Sequence, residues 1–295
     1  MSSAQPSRLG AGREALRRWY APRRAAYPWR GVPDPYAVLV SEVMLQQTQA
    51  PRVVPAYRAF LARFPTVDSL AGAPRSEVVR AWGGLGYNRR AVALSEAARA
   101  VVRDNGGRIP STMPELLRLP GIGPYTAAAV ASLAFGAPVA AVDTNVRRVL
   151  ARVHLGAGPH EARPRELASL AQEWLDARDP GAWNSALMDL GREVCRPRPR
   201  CHVCPLERAC RFTAAGASAS PAPRRQGRFE GSSRQVRGAV VAALRRHDAL
   251  TLERLSEEIG FARERVVAAV DGLVADGLVA IERPRRVRLA EAGHK

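Results

Sequence analysis

Lysine is almost absent from the sequence, although the chain is strongly basic. Of 45 basic residues only Lys295 is a lysine, and with 27 acidic residues the formal net charge is +18. A surplus of this size favours a polyanionic partner, of which nucleic acid is the commonest. An arginine-rich proteome is the alternative explanation, so the charge supports nucleic-acid binding without establishing it.

Long apolar segments are also missing. No run of about eighteen apolar residues appears, which excludes an ordinary transmembrane helix, and residues 1–12 lack the apolar core of a signal peptide. We therefore expect no membrane association and a cytoplasmic, nucleoid-associated monomer in a reducing compartment. With 46% hydrophobic and 24% charged residues, the 295-residue chain can fold rather than stay disordered.

Short helices are predicted for the region before residue 214. Asp34 followed by Pro35 is typical of a helix N-terminus, with proline at the first helical position. Apolar residues recur at helical spacing in five later segments, which are Val53–Phe64, Ser76–Trp82, Ala91–Val102, Pro114–Leu119 and Tyr125–Phe135. No set of alternating strands accompanies them, so this region should be all-α.

A change of composition separates this region from the C-terminus. Ala214–Pro223 consists of small residues and prolines, as in a flexible linker. Three helical patterns follow, and then two alternating segments on either side of a turn at Arg283–Arg286. They predict a small winged-helix-like module, and its wing carries arginines suited to phosphate contacts at positions 283, 285, 286 and 288. A module that only packs on the core and stabilises it is the alternative.

All four cysteines lie close together, at Cys195, Cys201, Cys204 and Cys210. In a reducing compartment, four clustered thiolates indicate a metal site rather than disulfides. Zinc and a four-iron cluster both accept four thiolates, and the residues alone do not decide between them. The surrounding arginines make this segment a cationic loop suited to phosphate.

The segment Leu119–Pro124 lies between two helical patterns and contains two glycines. Gly121 and Gly123 allow positive φ and a close backbone approach to a ligand, and amide groups at the next helix N-terminus can bind phosphate. This is typical of a helix-hairpin-helix, an ordinary tight turn being the alternative. Taken alone, Glu42 reads as a solvated residue on an amphipathic helix and Asp143 as a helix N-cap.

Together these segments resemble the helix-hairpin-helix DNA glycosylase superfamily over about residues 25–211. Within it, the MutY-type adenine DNA glycosylases match best. The matching segments are Pro28–Arg30, Ser41–Gln49, Trp82–Tyr87, Leu119–Pro124, Val142–Asn145 and the four cysteines. The resemblance implies a mainly α, two-lobed fold with an iron–sulfur cluster loop and one 4Fe–4S cluster bound by the four cysteines. One residue fewer than the family usually has separates the first two cysteines.

The resemblance also implies a division of the chain. Residues 1–29 and 136–213 would form an iron–sulfur domain, and residues 30–135 a six-helix barrel domain that contains the hairpin. Residues 214–231 would be the linker and residues 232–295 the winged-helix-like module. The family usually has instead a C-terminal Nudix-like domain that recognises 8-oxoguanine, for which the remaining chain is too short.

The implied chemistry uses two carboxylates with different roles, as in sugar hydrolases. Glu42 would protonate the adenine and help to position water. Asp143 would stabilise the cationic sugar or bond transiently to it, while Tyr125 and Asn145 would orient this pair. The residues implied in substrate binding are Arg30 and Asp189 at the base pocket, Gly121 and Gly123 in the hairpin, Gln47, Leu85 and Tyr87 as a wedge that fills the gap left by the flipped base, and Thr48 at the opposing damaged guanine. Ordinary core packing is the alternative for Leu85 and Tyr87.

The activity implied is monofunctional excision of adenine opposite 8-oxoguanine or guanine in double-stranded DNA, in base excision repair. Relatives with a lysine just after the hairpin also cut the strand through a Schiff base, but here that position is Tyr125. Tyrosine also occurs there in glycosylases that remove thymine or uracil opposite guanine, which leaves that alternative open. Leu45–Gln49 favours adenine. An iron–sulfur DNA-binding regulator is a second alternative, which leaves the hairpin and Asp143 unexplained.

Overall fold

The computed structural model describes residues 8–24, 27–216, 227–282 and 286–291, and these residues are mainly helical. The α-helices are, in chain order, α1 (Arg8–Tyr20), α2 (Pro35–Leu45), α3 (Ala50–Arg63), α4 (Val67–Gly72), α5 (Arg75–Ala81), α6 (Arg89–Asn105), α7 (Met113–Leu116), α8 (Pro124–Phe135), α9 (Thr144–Leu150), α10 (Pro164–Glu173), α11 (Pro180–Glu193), α12 (Arg211–Ala214), α13 (Ser233–Arg246), α14 (Leu252–Ile259) and α15 (Arg263–Ala275). Within the described ranges, none of the helices is long and apolar enough to cross a membrane.

The chain forms two compact units. The first comprises Met1–Glu42, Ser111–Arg118 and Ile122–Arg225, and the second comprises Val43–Pro110, Leu119–Gly121 and Gln226–Lys295. The predicted linker lies mostly outside the described residues, since 217–226 are not described.

The core of the first unit is built from α1, α8, α9, α10 and α11. Trp174 packs edge-on against Trp183, with ring centroids 5.0 Å apart, and against His154 at 4.9 Å. Aliphatic side chains such as Leu150 and Leu187 fill the space around them and are almost fully buried. Burial of this apolar surface stabilises the scaffold that holds the polar side chains described below.

The helix starts predicted from the sequence are found where the local chemistry requires them. The side chain of Asp34 accepts a hydrogen bond of 2.9 Å from the amide of Tyr36, which starts α2 at Pro35 as expected. The pattern predicted over Pro114–Leu119 is only the four-residue α7, because the chain turns after Leu116 into the hairpin.

The second unit combines α3 to α6 with the C-terminal module. In the module, α13, α14 and α15 pack together beside an antiparallel sheet of β1 (Leu250–Thr251), β2 (Val279–Glu282) and β3 (Arg286–Leu289), in the order β1-β3-β2. The two predicted wing strands are β2 and β3, with Val279 opposite Leu289. The sequence did not reveal β1, which is only two residues long.

The module is packed tightly against α5 of the same unit. Val79 is fully buried within the module's own hydrophobic cluster. Arg75, which is 4% exposed, donates a hydrogen bond of 3.0 Å to the carbonyl of Gly277, and its amide donates to the carbonyl of Glu291 at 3.0 Å. Ser76 donates to the carboxylate of Glu291 at 2.9 Å. The module is therefore part of the hydrophobic and polar core of this unit.

Candidate active site

Glu42 lies in the middle of α2 and is only 2% exposed. Its neighbours from Tyr36 to Met44 are all buried, because this helix is apolar on every face. The expectation of a solvated side chain on an amphipathic helix is therefore wrong. A carboxyl group in such surroundings needs polar partners, because an unpaired buried charge is costly.

Tyr125 supplies one partner from the first turn of α8, directly after the hairpin. Its hydroxyl donates a hydrogen bond of 2.8 Å to Oε2 of Glu42 and lies 3.5 Å from the sulfur of Met188. Burial raises the pKa of Tyr125 well above its ordinary value, and the charge of Glu42 acts in the same direction. The phenol therefore stays protonated and remains a donor.

Asp143 is held at the N-terminus of α9 by hydrogen bonds to both carboxylate oxygens. The amide of Val146 donates to Oδ1 at 2.7 Å, which is the N-cap contact expected from the sequence, and Nδ2 of Asn145 donates to Oδ2 at 2.9 Å. Asn145 is in turn oriented by Arg148, which donates to Oδ1 at 2.8 Å. These donors fix the carboxylate and favour its ionised form.

Gly191 makes this arrangement possible, and the sequence did not single it out. A Cβ atom at this position would lie 2.7 Å from Cβ of Asn145 and 2.8 Å from its carbonyl oxygen. Any larger residue would therefore displace Asn145 and with it a donor to Asp143.

Arg30 and Asp189 form a buried ion pair in the same unit. Nη2 of Arg30 lies 2.9 Å from Oδ1 of Asp189, and the two side chains are 6% and 4% exposed. Nη1 of Arg30 also donates to the hydroxyl of Ser185 at 2.8 Å, and Arg192 contacts Asp189 at 3.1 Å. The resemblance placed Arg30 and Asp189 together, but nothing in the local pattern indicated Ser185.

The two candidate catalytic carboxyl groups differ in their surroundings. Burial raises the pKa of Glu42, against the opposing effects of Arg30 and of the hydrogen bond from Tyr125, while Asp143 and Asp189 add to the rise. Burial also raises the pKa of Asp143, but hydrogen bonds from Val146 and Asn145 oppose it. Glu42 thus receives one hydrogen bond, from Tyr125, and feels the positive charge of Arg30, whereas Asp143 receives several hydrogen bonds.

Of the wedge candidates, which lie in the second unit, Tyr87 is exposed and Leu85 is buried. Gln47 and Tyr87 have positive φ angles of 55° and 49°, the two such values among the described non-glycine residues. Tyr87 is 48% exposed, whereas Leu85 is only 6% exposed. Burial of Leu85 agrees with the core-packing alternative, and its role as a wedge stays a prediction.

Arg90 donates hydrogen bonds to the segment that contains Gln47 and Thr48, a contact that the sequence did not reveal. Its guanidinium donates to the carbonyls of Val43 and Met44 at 2.9 Å, to that of Gln46, and to the hydroxyl of Thr48 at 3.0 Å. Burial lowers the pKa of Arg90 to about 10. Thr48 is therefore held in place by a cation that satisfies the C-terminal carbonyls of α2.

The hairpin turn needs its first glycine for packing. Gly121 has a φ of 73°, and a Cβ atom there would lie 2.5 Å from Cβ of Ala93. Gly123 is the N-cap of α8, and a Cβ atom there would meet no atom within 4 Å. Gly121 is therefore required by local sterics, and phosphate binding at the hairpin stays a prediction.

The four cysteines line a single cavity in the first unit, and none forms a disulfide. Arg152 reaches this cavity with Nη1 3.3 Å from the sulfur of Cys195, and it donates to the carbonyls of Arg196 at 2.6 Å and Pro197 at 2.9 Å. Among the described residues, no three histidine, cysteine or acidic side chains lie as a ready-made site for one metal ion. Four thiols around one cavity, with a buried cation nearby, fit an anionic cluster that uses one thiolate per iron.

Comparison with known proteins gives the family. Residues 40–176 match the HhH-GPD superfamily of base excision DNA repair proteins. The chain is 42% identical to the adenine DNA glycosylase of Mycolicibacterium smegmatis over 93% of this chain and 94% of that protein. The chain belongs to the adenine DNA glycosylase family. It is also 45% identical to the human adenine DNA glycosylase, over 68% of this chain but only 39% of the longer human protein.

Solved structures similar to this glycosylase have the same helical fold. A thermostable thymine-DNA glycosylase matches with a TM-score of 0.65 and 32% identity, over 70% of this chain and 97% of that one. An endonuclease III trapped on DNA matches with a TM-score of 0.59 and 23% identity, over 69% of this chain and 96% of that one. The mainly α, helix-hairpin-helix glycosylase fold expected from the sequence is confirmed.

Proposed function

We propose that this glycosylase excises adenine opposite 8-oxoguanine or guanine in double-stranded DNA and leaves the strand uncut. The observation that carries the proposal is the buried, hydrogen-bonded pair of Glu42 and Tyr125, in the same unit as the fixed carboxylate of Asp143. Two carboxyl groups in unequal surroundings are what acid-assisted cleavage of a glycosidic bond requires. The adenine glycosylase relative that aligns over nearly the whole chain supports adenine as the base.

Glu42 acts as the acid in this mechanism. Adenine leaves poorly as an anion, so a ring nitrogen takes a proton from Glu42 as the bond to the sugar breaks. The raised pKa of Glu42 keeps that proton available at higher pH than for an exposed glutamate. Once ionised, Glu42 is stabilised by the hydrogen bond from Tyr125 and can orient the attacking water.

Asp143 stabilises the positive charge that develops on the sugar. Donors from Val146 and Asn145 hold it as an anion without neutralising it, so its charge is positioned before the reaction begins. The target nucleotide has to leave the duplex to reach these groups. Gln47 and Tyr87 would fill the gap, Thr48 would contact the opposing base, and Arg30 and Asp189 would line the pocket for the adenine.

The four cysteines would bind one 4Fe–4S cluster. When bound, such a cluster links Cys195, Cys201, Cys204 and Cys210 and so fixes the loop between them. The residues that do the chemistry lie elsewhere in the same unit, which supports a structural role. The loop presents Arg198, Arg200 and Arg208, whose charges suit the phosphates of DNA.

Removal of thymine or uracil opposite guanine is the second candidate, because a thymine-DNA glycosylase is among the similar solved structures. Duplexes with A opposite 8-oxoguanine, A opposite guanine, T opposite guanine and U opposite guanine separate the candidates, with cleavage at the product revealed by hot alkali. We expect excision from the two adenine duplexes alone, and strongly reduced excision by Glu42→Gln. Faster excision of thymine or uracil than of adenine would overturn the proposal, as would bands that appear without alkali.

A further inference from the structure

The second unit contains a large basic cleft, of whose lining the proposed function uses only Gln47 and Tyr87. Its volume is about 1060 Å³, slightly above the range of roughly 300–1,000 Å³ for small-molecule pockets. One wall is formed by the Gln46–Gln47 and Gly83–Arg90 segments, and the other by α13 and the residues before it in the C-terminal module. Both walls lie within the one unit.

The charge of this cleft is strongly one-sided. Its lining contains one carboxylate, Asp276, and six arginines, which are Arg52, Arg89, Arg90, Arg234, Arg237 and Arg245. Asp276 pairs with Arg237 and Arg89, and Arg90 is occupied by backbone carbonyls. The cleft therefore keeps a positive surplus.

Arg245 is the clearest example of an unneutralised positive charge in this cleft. It is half-buried on α13 and has no hydrogen bond or carboxylate partner among the described residues. Its neighbour Arg246 points away from the cleft and pairs with Glu258. A half-buried cation without an anion is costly, and a phosphate in the cleft would supply the missing partner.

Aromatic side chains line the same cleft. Phe229 is 53% exposed and Tyr87 is 48% exposed, so both rings can be reached from the cleft, and the guanidinium of Arg90 lies 5.5 Å from the centre of the Tyr87 ring. Arginines that reach phosphates and exposed rings on which bases stack are the combination found where proteins bind single nucleic-acid strands.

We propose that this cleft binds an unpaired segment of a DNA strand, with Arg245 at a phosphate and Phe229 against a base. The inference rests on the proposed function in one respect, because Gln47 and Tyr87 in the lining are the residues expected at the gap left by the flipped base. The site adds the C-terminal module to the DNA-binding surface through α13. The wing is less suited, since Arg288 pairs with Glu282 at 2.6 Å and Arg286 contacts the carbonyl of Ala249, while 283 and 285 lie outside the described residues.

The test measures binding by the full chain to a duplex with a tetrahydrofuran abasic site opposite guanine, by fluorescence anisotropy at several salt concentrations. This probe carries no base to be excised, so a failure of the proposed chemistry leaves the binding result intact. Arg245→Ala should reduce the slope of log K against log salt by about 0.7–0.9. Phe229→Ala should weaken binding roughly 5- to 100-fold with the salt slope unchanged.

Arg246→Ala is the matched control, because it removes the same charge one residue away, outside the cleft. Thermal unfolding of all three variants checks that the fold is retained. Equal slopes and affinities for the Arg245 and Arg246 variants, together with normal binding by Phe229→Ala, would overturn the proposal. If Arg245→Ala and Phe229→Ala change binding as expected but the unmodified protein excises no base, only the proposed function is contradicted.

Discussion

The hydroxyl of Tyr125 lies 2.8 Å from Oε2 of Glu42 and donates a hydrogen bond to it. This bond stabilises the ionised carboxylate and therefore lowers the pKa of Glu42, against the rise caused by burial. With Glu42 as the proposed acid, excision should slow as the pH rises through its pKa. The phenol therefore helps to set the upper end of the working pH range, together with burial and the charge of Arg30.

Tyr125→Phe should shift the fall in excision rate at alkaline pH, the alkaline limb of the pH profile, to higher pH. Phenylalanine keeps the burial and removes the donor, so the pKa of Glu42 should rise further. Single-turnover excision rates across the pH range measure the shift. Tyr57→Phe, which alters a buried tyrosine of the other unit, is the control. An unmoved limb, or one that moves to lower pH, would remove Tyr125 from this role.

Glu42→Gln and Asp143→Asn should each reduce single-turnover excision by about 10²–10⁴-fold. Asparagine is also a good N-cap, so Asp143→Asn removes the charge while α9 keeps its start. Asp179→Asn is a matched control, since Asp179 caps α11 with a 3.0 Å bond from the amide of Ala182. DNA binding should persist in all three, and near-normal excision by either test variant would exclude that residue.

Local patterns predicted α2, α3, α5, α6 and α8 but not α1, α4, α10 or α11, and they missed the contacts made across long stretches of chain. The start of α2 and the cap on Asp143 follow from neighbouring residues. Burial of Glu42 could also have been predicted, because Pro35–Leu45 contains almost no other polar residue. Arg90, by contrast, satisfies carbonyls more than forty positions earlier, and Ser185 meets Arg30 only after folding. Periodicity contains no information on such pairs.

The glycosylase should not form a Schiff base with its product. That reaction needs an amine, and the position after the hairpin holds Tyr125, whose phenol is engaged with Glu42. Borohydride added to enzyme on a duplex with an abasic site should trap no complex at the rate of base excision. Lys295→Arg removes the one lysine side chain and should change nothing. Rapid trapping, lost in that variant, would show that Lys295 reaches the site.

Anaerobically purified protein should contain about four irons per chain. Arg152→Met should lower that iron content and the unfolding temperature, because it removes a contact to Cys195 and two donors to loop carbonyls. Arg198→Met is the control, an exposed arginine in the same loop. Stoichiometric zinc without iron would contradict the cluster, and equal iron in both variants would deny Arg152 its role.

Val79→Ala should lower the free energy of unfolding by about 1.5–3 kcal/mol, because two buried methyl groups are lost from the cluster that Val79 shares with the C-terminal module. Val274→Ala, at a 38% exposed position on α15, should cost far less.

For the same reason, residues 1–215 alone should be poorly stable, since Val79 becomes exposed and Arg75 loses Gly277 and Glu291. The carboxylates at 42 and 143 remain in that fragment, so its folded fraction should still excise adenine. Denaturant unfolding of the full chain, its two variants and the fragment compares their stabilities. The excision rate of the fragment, divided by its folded fraction, tests its activity. A fragment as stable as the full chain would show that the module is not part of this core, and a folded fragment that is inactive even at saturating DNA would place a catalytic group in the module.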